Sequence, residues 1–169
     1  MPRILLTTLL VLTALVLQVT VVNRLPVSVV PDFVLLVVIA LAAIRGPVAG
    51  ATIGFLSGLG ADLLPPADHA LGQHALVLCL VGFAVGRWAE RWPLLTVAVC
   101  AAGAPAFALA VGGLLGDPGV DLQTFEVVWP MAALVNLLAA PIVVWAVLKL
   151  YGPRAEKATA AAVPGWRRA

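Results

Sequence analysis

The stretch GFLSGLGADLLPPADHALGQHALVLCLVGFAVGR, residues 54–87, places two aspartates, two histidines and a proline pair between runs of Gly, Ala, Leu and Val. Its two ends read as apolar helices. The centre, with Pro65 and Pro66, breaks them. Four ionisable groups (Asp62, Asp68, His69 and His74) are therefore set in a hairpin between two hydrophobic segments. A metal site, a proton relay, a substrate pocket and an extracytoplasmic loop could each account for them.

Composition narrows the setting. Of 169 residues, 63% are hydrophobic and 11% charged, with a mean hydropathy of +1.11. A soluble domain carries about 25% charged residues. This chain cannot cover itself with polar side chains, so its solvent is lipid. The expected fold class is all-α, a single polytopic membrane domain over residues 1–151. A basic tail, residues 152–169, is expected to be disordered and cytoplasmic.

Six transmembrane helices are predicted, at about Ile4–Val22, Pro31–Ile44, Pro47–Leu64, Leu71–Trp88, Pro93–Leu115 and Val127–Leu150. The first is longer than a signal-peptide core, and no A-x-A-like cleavage site follows it, so it is expected to be retained. The second is short for a hydrocarbon layer of ~30 Å. With the N-terminus in the cytoplasm, Arg3, Arg45, Arg87, Arg91, Lys149, Arg154, Lys157, Arg167 and Arg168 share the cytoplasmic side. Only Arg24 of the ten basic residues falls opposite. This asymmetry predicts both termini inside a bacterial cytoplasmic membrane. Asp32, Asp62, Asp68, Asp117, Asp121 and Glu126 fall on the outer side, and Trp88, Trp92, Trp129, Trp145 and Tyr151 near span ends.

Lipid gives helices no hydrophobic reason to associate, so small residues and buried polar groups must hold them together. Gly50, Gly54 and Gly58 form a smooth stripe on the third helix, and Gly82 and Gly86 another on the fourth. Either the stripes pack within the molecule or they form a groove for a partner's helix. Pro105 and Pro141 should kink the fifth and sixth helices, a distortion tolerated where neighbours satisfy the freed carbonyls. Gln18 and Asn136 are expected to make interhelical hydrogen bonds. Cys79 and Cys100 read as packing residues.

The chemistry offered is sparse. His69 and His74 are not at the i, i+4 spacing that puts two imidazoles on one helical face, so no metal site is expected. No phosphate loop or Ser-His-Asp arrangement appears, and no cofactor or nucleic acid is implied. Asp62 stands at a helix C-terminus, where the macrodipole disfavours a carboxylate. The expectation is a hydrogen-bonded clamp between Asp62 and His74 that holds the hairpin, not an enzyme's acid–base pair.

These same residues carry a family resemblance. Pro31-Asp32 before the second helix, the G-x-x-x-G-x-x-x-D-L of Gly54, Gly58, Asp62 and Leu63, and the G-x-H-A-L of Gly72, His74, Ala75 and Leu76 resemble the rod shape-determining MreD family, as do Gly82, Gly86 and Arg87. The loop PPADHA, residues 65–70, departs from that family's Ser/Gly-rich turn. The resemblance implies a non-enzymatic membrane scaffold of the peptidoglycan elongation machinery. It would act with a bitopic MreC-like protein, and through it with MreB, RodA and a penicillin-binding transpeptidase. It makes Asp32, Gly50, Gly54, Gly58, Asp62, His74, Gly82, Gly86 and Arg87 candidates for structural or partner contacts. It also implies a fold like the substrate-binding component of energy-coupling-factor transporters. Such a vitamin-binding component is the alternative reading, though only Ala14 stands in the first helix, where that class needs an Ala-x-x-x-Ala pattern.

Overall fold

The computed structural model describes residues 2–20, 29–64, 71–117 and 119–162. These form six helices: α1 (Pro2–Thr20), α2 (Phe33–Arg45), α3 (Pro47–Leu63), α4 (Gln73–Trp88), α5 (Pro93–Leu114) and α6 (Leu122–Ala162). No strand occurs among the described residues. By length and composition, three stretches can cross a membrane: Arg3–Thr20, Pro93–Leu114 and Phe125–Tyr151. The remaining helices, α2, α3 and α4, have 13, 17 and 16 residues. At ~1.5 Å per residue α2 is only about 20 Å long, short of a ~30 Å hydrocarbon layer.

Helix α2 is the centre of the bundle and touches all five others. Its sequence FVLLVVIALAAIR is apolar on every side, and every residue from Val34 to Ala42 is buried. A helix that is hydrophobic all round belongs in an interior. The outer helices invert the soluble pattern. Leu5, Leu9, Leu12 and Val16 of α1, and Leu134, Leu138 and Ile142 of α6, face outward. In α3 the buried residues are Gly50, Gly54, Ser57, Gly58 and Asp62, whereas Phe55 and Leu56 are exposed. Small residues inside and large ones outside suit a bundle whose surroundings are as apolar as its core.

The glycine stripes of α3 and α4 meet each other. A Cβ at Gly50 would collide with the Gly82 carbonyl, one at Gly54 with the Leu78 carbonyl, and one at Gly58 with the backbone of His74 and Ala75. Gly82 faces Gly50 in return, and Gly86 lies on the backbone of Gly46 and Pro47. Helix α4 therefore occupies the stripe of α3. The turn between α2 and α3 rests on Gly46, whose φ of 83° suits a residue without a Cβ. Its N–H donates to the Ala42 carbonyl at 3.0 Å, and Pro47 follows at the first helical position.

At the end of the bundle that carries Arg3 and Arg45, α1, α2 and α6 are knotted together. The Tyr151 hydroxyl donates to the Arg3 carbonyl at 2.9 Å and lies against the Thr7 hydroxyl. Arg45 Nη1 reaches Thr7 Oγ1 at 3.4 Å. Beyond Tyr151, α6 continues to Ala162, through a segment whose polar composition predicts disorder. Alanine, the best helix former, recurs there at 155, 158 and 160–162. The remainder of the basic tail, residues 163–169, lies outside the described residues, as do Arg24, Asp68 and His69.

Candidate functional site

The polar groups of the bundle collect where α2 and α4 begin. Both N-termini open inside the protein, and each leaves orphan backbone N–H groups that need acceptors. At α2, Asp32 is the N-cap, and its Oδ1 accepts the Leu35 N–H at 2.9 Å. Gln18 Oε1 of α1 accepts the Phe33 N–H, and Asn136 Oδ1 of α6 accepts the Asp32 N–H, both at 2.9 Å. Three side chains from three elements thus close one helix end.

At α4 the cap comes from the preceding helix. Gly72 holds the N-cap position with φ 92° and has no side chain to offer. Asp62, at the end of α3, takes its place. Asp62 Oδ2 accepts the N–H groups of Gly72 and Ala75 at 2.9 and 3.2 Å, and Oδ1 accepts the His74 N–H at 3.2 Å. A carboxylate disfavoured at the C-terminus of α3 is favoured at the N-terminus of α4. This is the compensation that the sequence required, made by backbone donors of the hairpin. The His74 ring joins it from the side, with Nδ1 3.3 Å from Asp62 Oδ1 but without the alignment of a hydrogen bond.

Proline chemistry ties α5 into the same layer. Pro105 lacks an N–H, so the Ala101 carbonyl four residues back loses its helical donor. Asn136 Nδ2 points to that carbonyl at 3.4 Å, and Trp129 Nε1 donates to the Ala102 carbonyl at 3.0 Å. Gln73 Nε2 donates to the Ala108 carbonyl, also at 3.0 Å. Reading Trp129 only as a belt residue misses this second task. The signal available was its indole N–H on the helix that also carries Asn136, opposite a helix with an internal proline.

Asp32 belongs to the same layer: its N–H donates to Asn136 of α6, and the adjoining Phe33 N–H donates to Gln18, two residues from the end of α1.

Between these caps is a cavity of about 230 Å³. Asp32, His74 and Asn136 form its polar wall, and Leu35, Val77 and Leu109 belong to its apolar one. Of the remaining sequence candidates, Gly50, Gly54, Gly58, Gly82 and Gly86 build the α3–α4 contact instead. Arg87 is exposed in the last turn of α4. No group of three or more His, Cys, Asp or Glu able to hold a metal occurs among the described residues.

A core helix apolar on all sides, outward leucines, and helix ends closed by buried side chains define an α-helical membrane protein. Comparison with family models identifies which kind: residues 2–152 match rod shape-determining protein MreD, and the chain belongs to that family. It is a membrane family of cell-shape determination. Neither curated proteins nor solved structures gave a match.

Proposed function

We propose that the protein is a non-enzymatic scaffold of the peptidoglycan elongation machinery. It would bind an MreC-like bitopic protein and act through it on MreB, RodA and a penicillin-binding transpeptidase. The observation that carries this reading is the engagement of Asp32 and Asp62. Both carboxylates serve backbone N–H groups of α2 and α4, a use that fixes helices in place. Family membership supplies the shape-determining context. The charge asymmetry supports six spans in the cytoplasmic membrane with both termini inside. In that topology the short α2 and α4 span by burying their ends among neighbours. Likeness to the substrate-binding component of energy-coupling-factor transporters is part of the same proposal.

Since α4 covers the α3 stripe, a partner helix would use the outward faces of α1, α5 or α6, where large apolar residues stand exposed. The test is purification of the tagged native protein from its own membranes in mild detergent. An MreC-like protein should co-purify, and depletion should round the cells. Unchanged cell shape on depletion, or co-purification of an ATPase module in place of the scaffold, would overturn the reading.

A further inference from the structure

We propose that a groove at the Arg45 end of the bundle holds an acyl chain of an anionic phospholipid, with Arg91 and Lys149 receiving its head group. The groove lies between α2, α5 and α6 and has a volume of about 430 Å³. Every described residue of its lining is Ala, Val, Leu, Ile or Pro, among them Ala40, Val97, Ala98, Leu137 and Val144. On α6 the lining runs from Leu137 to Leu148, about 16 Å at ~1.5 Å per residue. A helix of that length and ~10 Å across fills roughly 1,300 Å³, about three times the groove. Such a helix could rest on the groove but not enter it, whereas a single methylene chain can. At ~30 Å³ per water-sized group the space takes about fourteen such groups, the scale of one acyl chain.

Charge selects the kind of lipid. At one end of the groove the lining joins Ile44 of α2, Ala89 and Pro93 of the α4–α5 turn, and Leu148 of α6. Each of these has a basic residue beside it in the chain: Arg45 follows Ile44, Arg91 lies between Ala89 and Pro93, and Lys149 follows Leu148. Arg45 is engaged with Thr7, whereas Arg91 and Lys149 are exposed. Glu90 is the one acid in the turn, residues 89–92. The Lys149 ammonium stands 4.7 Å from the centroid of the Trp145 ring, a contact that orders a long side chain next to the groove residues Val144 and Leu148. Trp92 and Trp145 are exposed at this same end, as indoles are at the level of lipid head groups. An Arg and a Lys suit a phosphate, the first as a fork of donors and the second as a point charge. Basic residues at the mouth of an apolar space between helices are the usual setting for an anionic head group. Such a site requires a membrane around the bundle, in either orientation, and no particular protein partner.

The experiment uses purified full-length protein in detergent micelles, titrated with dioleoyl phosphatidylglycerol or dioleoyl phosphatidylcholine. Thermal unfolding reads the response, and native mass spectrometry counts the lipids retained. Phosphatidylglycerol should raise Tm saturably and stay bound as a single molecule, at least about tenfold more tightly than phosphatidylcholine. Arg91→Gln combined with Lys149→Gln changes two exposed positions, so the protein should stay folded and bind the two lipids alike. Arg87→Gln removes a charge from the exposed face of α4, about 200° around that helix from Ala89, and should leave the preference intact. Ala98→Leu fills the groove from α5 and should abolish retention of either lipid; if it does not fold, the charge variants decide. Equal Tm shifts by the two lipids in the parent protein would overturn the proposal. So would a preference undiminished in the double variant or in folded Ala98→Leu, or lost equally in Arg87→Gln. Loss of a co-purifying protein in Ala98→Leu, with the phosphatidylglycerol preference untouched, would give the groove to a partner's helix instead. Co-purification of an MreC-like protein is a separate measurement, so the scaffold reading would survive failure of the lipid test.

Discussion

Asp62 on α3 grips His74 on α4 through the backbone: Oδ1 accepts the His74 N–H at 3.2 Å, while the same carboxylate holds the N–H groups of Gly72 and Ala75. The clamp anticipated between two side chains is chiefly a carboxylate cap on a helix N-terminus. That difference changes what mutations should do. Asp62→Ala leaves three N–H groups without their acceptor in a buried place and should cost about 2–4 kcal/mol. Asp62→Asn keeps one acceptor oxygen and should cost about half as much. His74→Ala preserves the backbone donor and should cost under about 1 kcal/mol, combining with Asp62→Asn less than additively. Thermal unfolding of the four variants and the parent protein in one detergent checks this, and a His74→Ala loss as large as that of Asp62→Ala would remove the backbone account.

Asn136 serves two masters, the Asp32 N–H and the Ala101 carbonyl left open by Pro105. Asn136→Leu should destabilise by about 1–3 kcal/mol through two unpaired buried groups. Pro105→Ala restores the helical donor to Ala101, so the same Asn136→Leu change should cost less in that background. A double-mutant cycle should give a coupling of at least about 0.5 kcal/mol. Strict additivity would separate Asn136 from the kink.

The glycines of α3 should differ sharply from one on α5. Gly54→Ala meets the Leu78 carbonyl and Gly58→Leu the backbone of Ala75, contacts that only a separation of α3 from α4 could relieve. Both variants should aggregate or be degraded, and size-exclusion chromatography after extraction would show the loss. Gly103 has nothing within 4 Å of an added Cβ, so Gly103→Ala should be neutral or stabilise by up to about 1 kcal/mol. A well-folded Gly58→Leu variant would mean that α3 and α4 can part.

The proposed topology predicts that a cysteine introduced at Asp121 labels from outside intact cells, and that one at Arg45 or Glu90 labels only after permeabilisation. The motive is the gathering of basic residues on one side. Outside labelling at Arg45 would invert every loop.

Sequence alone determined the membrane class and the six helices to within a few residues at most ends. Those follow from composition, apolar run length and proline placement, which act locally along the chain. It also raised the right question about Asp62, because a carboxylate at a helix C-terminus is an electrostatic misfit wherever the helix goes. Only the tertiary structure decided how the misfit is resolved. The acceptor of Gly72 stands ten residues back, and the partner of Asp32 lies 104 residues ahead. Nothing in local pattern encodes such pairings. The glycine stripes show the same division. Their spacing declared a smooth face, but which helix fills it depended on how α3 and α4 fold back on each other, where backbone meets backbone and no side chain records the contact.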